Sequence, residues 1–142
     1  MYGRHNDSCC CALFVKKMNL QRVNEIISGA IQLDCNPLRE YAHAFASDLM
    51  SDVLRYQMEN AVLITGLCTV QAIRTAEIIN IPCIIFGRGK QVTPDMLALA
   101  EEHQISIIVC NSTIFEIAGK LYQNGLKPVL YEDAVSHRGG RF

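Results

Sequence analysis

The chain has 142 residues, 50% of them apolar and 19% charged, with a formal net charge of −1 at neutral pH. That length accommodates one domain with a sizeable core, without disulfides or a structural metal. So even a charge balance carries no basic field for nucleic acid and no polybasic segment for an anionic membrane, and no run approaches the roughly 18 apolar residues of a bilayer span.

In chain order, residues 1–17 show neither a hydrophobic period nor helix caps. They include the run Cys9-Cys10-Cys11 within an apolar stretch from Cys9 to Val15, closed by Lys16-Lys17. The stretch is short and lacks a small-residue cleavage site, so it does not read as a signal peptide, and the cytoplasm is the expected compartment. Residues 1–17 are read as a disordered extension and residues 18–133 as the domain. Residues 134–142, polar and glycine-rich, are read as a flexible tail.

Leu20, Val23, Ile26 and Ile27 follow helical spacing, with Gly29 as the expected C-terminal stop. From Ala30 to Cys35 apolar and polar residues alternate as in a half-buried strand, ended by Asn36-Pro37. Tyr41 to Ala46 reads as another short strand. In Ser47-Asp48-Leu49-Met50-Ser51-Asp52-Val53-Leu54, Ser51 or Asp52 is expected to cap a helix running to Tyr56 or Gln57. Asp48 and Asp52 can alternatively be paired carboxylates for a divalent cation, but capping accounts for them more simply.

The second half repeats one unit three times. Ala61 to Thr65, Cys83 to Phe86 and Ile105 to Cys110 are short apolar runs without alternation, the pattern of parallel strands buried on both faces. Each is followed by a small-residue polar loop that opens a helical pattern. Thr69 is placed to cap a helix through Ile79, with Val70, Ile73, Ala76 and Ile79 on one face. Thr93-Pro94-Asp95 opens another that carries Met96, Leu97, Leu99 and Ala100 and ends near His103. Thr113 and Glu116 fit a capping box for a third, which ends at Asn124-Gly125. Lys127 to Tyr131 reads as a last strand. A helix with Phe115, Ala118, Gly119 and Tyr122 suits close packing, either in the core or against a second subunit.

In a parallel sheet the loops that leave the carboxyl ends of the strands share one rim, where ligands bind. The candidate ligand-binding residues are therefore Thr65 and Gly66, then Gly87, Arg88, Gly89 and Lys90, and finally Asn111, Ser112 and Thr113. The N–H groups and two cations of Gly87 to Lys90 can hold a phosphate or carboxylate. The same loop also reads as a plain strand-to-helix turn, because the Walker pattern is absent. No Ser/His/Asp order, nucleophile elbow or zinc-protease motif occurs, and no catalytic residue, metal ligand or cofactor is assigned. None of the seven cysteines forms a C-x-x-C pair, so they read as reduced, with Cys83 and Cys110 as core hydrophobes and Cys68 in a rim loop. His43, between apolar neighbours, reads as a core or interface residue, and His103 as a helix-end cation.

The segments Ser47 to Val53, Ile64-Thr65, Cys83 to Lys90 and Phe115 to Tyr122, in that order and spacing, resemble the DRTGG domain. The likeness spans about Met18 to Pro128. It implies a three-layer α/β/α fold with a mostly parallel sheet, similar to the N-terminal domain of HPr kinase/phosphorylase and to the insert of CBS-containing pyrophosphatases. Where that family has paired glycines this chain has His43-Ala44, so no phosphate-cradling glycine turn is carried over there. The resemblance implies a non-catalytic regulatory or ligand-sensing module that pairs with itself, and it supplies no catalytic residues. The expected partners are a second copy, a small phosphorylated or nucleotide ligand, or a partner enzyme that the module docks. The alternative is a small enzyme acting on a phosphorylated or acyl substrate at the same rim.

Overall fold

The computed structural model describes residues 16–56 and 59–129. β1 (Met18–Asn19) leads into α1 (Leu20–Ile27), β2 (Ala30–Leu33), β3 (Glu40–Tyr41) and β4 (His43–Ala46). The short α2 (Met50–Val53) follows, then β5 (Ala61–Thr65), α3 (Val70–Ile78), β6 (Cys83–Phe86) and α4 (Pro94–Glu102). The described chain closes with β7 (Ser106–Val109), α5 (Ile114–Gln123) and β8 (Lys127–Pro128). Six strands form one sheet in the order β2-β7-β6-β5-β4-β8, and β1 pairs with β3 in a small second sheet. Among the described residues only β2 runs antiparallel to its neighbour in the large sheet; the other pairings are parallel. The fold is α/β, with helices on both faces of a mostly parallel sheet.

The reason lies in the three apolar runs. In β5 the residues Ala61 and Leu63 face one layer while Val62 and Ile64 face the other, and every residue of the strand is buried. In β6 the pair Ile84 and Phe86 and the pair Cys83 and Ile85 divide in the same way. The first face packs on α2, α3 and α4 through Met50, Val53, Ile73, Ala76, Met96 and Ala100. The second packs on α1 and α5 through Leu20, Val23, Ile27, Ile117 and Leu121. A strand covered on both sides has no polar face, which is why these runs do not alternate. Edge strand β2 does alternate, exposed and half-buried in turn.

Several expectations need correction. Ser28, not Gly29, takes the left-handed turn that ends α1, with φ 55°. Gly29 is needed for closeness instead: a Cβ there would sit 2.7 Å from Ile108 Cγ2. The strand expected over Tyr41 to Ala46 breaks at Ala42, because Tyr41 pairs with Met18 while His43 joins the large sheet beside Ala61. On α3 the buried face is Ala72, Ile73, Thr75 and Ala76, and Val70 is exposed. Thr113 caps α5 through the Glu116 N–H, but the Glu116 carboxylate turns to Lys120 at 3.1 Å, so half of the capping box forms.

Most of the extension (its first fifteen residues), the tail 134–142 and the end of the predicted last strand lie outside the described residues. Lys16 is described, and its side chain lies close to Gly125. Among the described residues no helix is long and apolar enough to cross a membrane.

Candidate functional site

Parallel pairing of β4, β5, β6 and β7 places four successive loops at one end of the sheet. Three are those expected from the sequence. The fourth, Ser47-Asp48, leaves β4, and the Ser47 N–H donates to the Ile64 carbonyl at 3.0 Å.

Short bonds tie the loops together. The Gly87 N–H donates to the Thr65 carbonyl at 3.0 Å, the Arg88 N–H to the Ser112 carbonyl at 2.9 Å, and the Gly89 N–H to the Cys110 carbonyl at 3.0 Å. Arg88 holds the left-handed φ of 63°, a conformation a non-glycine residue keeps only where its surroundings fix it. Its guanidinium then folds back across the rim and donates to the Gly66 carbonyl at 3.2 Å and the Asp48 Oδ2 at 3.5 Å. Gly66 is required for this: a Cβ there would collide with the Arg88 guanidinium.

Asp48 is the centre of the arrangement. Its Oδ1 accepts from the Gly66 N–H at 2.7 Å and the Thr65 hydroxyl at 3.0 Å. Thr65 Oγ1 in turn accepts from the Leu67 N–H at 3.1 Å. The Gly66 N–H does most to hold the Asp48 carboxyl below its ordinary range; burial opposes it, and the Thr65 hydroxyl and then the Arg88 and Lys90 charges add to the lowering.

The capping role read for Ser51 or Asp52, and for Asp48 beside them, is therefore wrong. The helix α2 spans only Met50–Val53, so Ser51 and Asp52 lie inside it and it stops short of Tyr56. Leu49 occupies the N-cap position of α2 without a side-chain bond, and Asp52 sits 3.9 Å from Arg55. The signal was present in the chain: Ser47-Asp48 follows a strand directly, just as Gly66 and Gly87 do. Of the nine expected residues, Thr65, Gly66, Gly87, Arg88, Gly89 and Ser112 are linked by these bonds or contacts. Asn111 lies beside Gly89, within 3.2 Å of where a Cβ would stand. Thr113 is turned to its capping bond with the Glu116 N–H, and Lys90 is exposed. Among the described residues no group of three or more His, Cys, Asp or Glu side chains is placed to hold a metal ion.

The fold resembles that of a regulatory region. One similar solved structure is that of the CBS and DRTGG domains of the regulatory region of Clostridium perfringens pyrophosphatase, complexed with the activator diadenosine tetraphosphate. The TM-score is 0.66 at 13% identity, over 76% of this chain and 47% of that one. This chain thus spans about half the length of that solved chain, and at that identity the likeness carries the fold. It agrees with the DRTGG resemblance read from the sequence. No family model matches the sequence, and no curated protein does.

A second feature lies on the flank. Between β4 and α5 runs an apolar groove of about 330 Å³, lined by Phe45, Ile64, Phe115, Tyr122, Leu126 and Pro128 among others. Phe115 and Tyr122 are 89% and 68% exposed. The helix face expected to pack closely therefore points outward, and α5 uses Ile117 and Leu121 for the core. Tyr41, a few residues before Phe45 in the chain, takes no part in this surface and is fully buried.

Proposed function

We propose that this chain is a cytoplasmic, non-catalytic regulatory module that senses a small anionic or nucleotide ligand at the rim and pairs with a second copy of itself. One observation carries the reading: Arg88, fixed in a left-handed turn, ties its own loop to the other three with its backbone and guanidinium. Two of the five guanidinium N–H donors are engaged in that bridge, which leaves three for a ligand. Lys90 adds a second cation beside it. The activator bound to the pyrophosphatase region makes adenine nucleotides the first class of probe for this chain.

The enzyme reading finds less support. The Thr65 hydroxyl and Asp48 are the nearest approach to a nucleophile and base at the rim. Asp48 is held below the ordinary carboxylate range, which makes it a poor acceptor for that proton. The groove between β4 and α5 is the surface proposed for self-pairing or for docking a partner enzyme, since exposed aromatic rings at a concave patch suit an interface. Calorimetric titration of the chain with mono-, di- and dinucleoside phosphates tests the ligand reading. Heat of binding that disappears in Arg88→Ala is expected, and the absence of heat with every nucleotide defeats ligand sensing at the rim.

A further inference from the structure

We infer that Asp48 is a built-in occupant of the rim, a carboxylate that competes with a ligand's anionic group and so sets how much negative charge the ligand can bring. The inference rests on the reading of the rim as the ligand site and adds to it a residue that selects among ligands.

The donors at the end of β5 show the competition. The Gly66 N–H and the Thr65 hydroxyl are the groups an incoming anion would meet there, and both are directed to one oxygen of Asp48, at 2.7 and 3.0 Å. The other oxygen faces the Arg88 guanidinium at 3.5 Å. Asp48 thus makes the contacts that a phosphate or carboxylate makes in such a cradle.

The carboxylate is not what places Arg88. Backbone bonds from Arg88 to Ser112 and from Gly89 to Cys110 hold that loop, and the guanidinium is anchored on the Gly66 carbonyl at 3.2 Å. The bond to Asp48 is longer than that anchor and longer than either bond to Oδ1. Charge completes the case. Arg88 and Lys90 are the cations acting on Asp48, so two positive charges and one negative leave a net +1 at the rim. A ligand with one anionic group at the loops meets a favourable field. A polyphosphate meets the same two cations with one of them already opposed.

Asp48→Asn separates the two roles, because the amide oxygen can still accept from Gly66 and Thr65 while the charge is gone. Asp48 is half exposed, so the variant is expected to fold, which circular dichroism checks; Asp48→Ser is the second variant. The full chain is titrated calorimetrically with inorganic phosphate, AMP, ADP and ATP at low and at high salt. Removing the charge is expected to tighten binding about tenfold at low salt, more for ATP than for AMP, with the gain shrinking at high salt. Adding Arg88→Ala to Asp48→Asn should erase the gain. Equal or weaker binding by both Asp48 variants, with wild type still binding, overturns the inference and makes Asp48 a support for Arg88. If neither wild type nor any variant takes up a probe, the rim reading itself falls and the inference with it.

Discussion

The rim and the groove share strands β4 and β5, yet they have opposite chemistry. At the rim the chain crosses itself four times with backbone bonds near 3 Å, and its charged side chains are drawn into those crossings. In the groove, Phe115 and Tyr122 stand exposed on a helix whose other face is fully committed to the core. The difference follows from strand direction. Parallel strands bring their loops and helix starts to one end, where N–H groups and charges collect, whereas the flank receives whatever helix face the core leaves over. The rim therefore suits a small charged ligand and the flank an apolar partner.

The comparison is tested most severely by removing the rim cations. Arg88→Ala with Lys90→Ala is expected to weaken nucleotide or phosphate binding by about ten- to a hundredfold for each charge-assisted bond lost, roughly 1.5–3 kcal/mol apiece. Both side chains are exposed, so the unfolding midpoint should stay close to that of wild type. Unchanged affinity in calorimetry would place the ligand elsewhere.

The groove is next. Wild type is expected to sediment as a dimer at micromolar concentration, and Phe115→Asp with Tyr122→Asp as a 15.9 kDa monomer. Nucleotide affinity should be unaffected, since these residues line the flank and not the rim. A wild-type monomer, or a dimer that survives both charges, would show that the groove has another purpose.

A smaller change sharpens the flank further. A Cβ added at Gly119 meets nothing within 4 Å. Gly119→Ala should therefore raise the stability of the monomeric chain by about 0.5–1 kcal/mol, because glycine is a poor residue inside a helix. If a second copy packs closely on that face, the same methyl should weaken the dimer, and denaturant unfolding together with sedimentation reads both effects.

The smallest expected effect is electrostatic. The Asp48 carboxyl is depressed below its ordinary value of 3.8, foremost by the Gly66 N–H. A depressed acid adds stability that is fully present above its unfolded-state value and lost as pH falls through the lower folded-state value. Asp48→Asn should therefore flatten part of the stability loss below about pH 4. Identical acid slopes for variant and wild type would show that the bonds to Gly66 and Thr65 do not persist in solution.

Much of this architecture was legible in the chain. Ala61 to Thr65 and Cys83 to Phe86 coincide with β5 and β6, and Thr69, Thr93 and Thr113 each cap the helix they were expected to open. These are local matters, decided by runs of apolar residues and by hydroxyls that satisfy the first free N–H groups of a helix. The nine rim residues were also found on one end, because strand direction and loop position follow from the repeated unit. Asp48 was misread for a physical reason: a Ser-Asp pair near a helix start serves as a cap in many settings, and its partners here are Thr65 and Gly66, seventeen and eighteen residues away. The strand from Tyr41 to Ala46 was misjudged because one chain segment feeds two sheets, Tyr41 pairing with Met18 and His43 with Ala61.

By itself, then, the sequence determined the α/β class, the buried central strands, the three threonine caps and the end of the sheet where loops gather. Each follows from hydrophobic runs and local hydrogen bonding within a few residues. The tertiary structure alone decided that Asp48 would fill the cradle, that Arg88 would turn back over Gly66, and that Phe115 and Tyr122 would be left outside. Those outcomes depend on which distant loops meet, and on which helix face the core has room to take, and no local pattern carries that information.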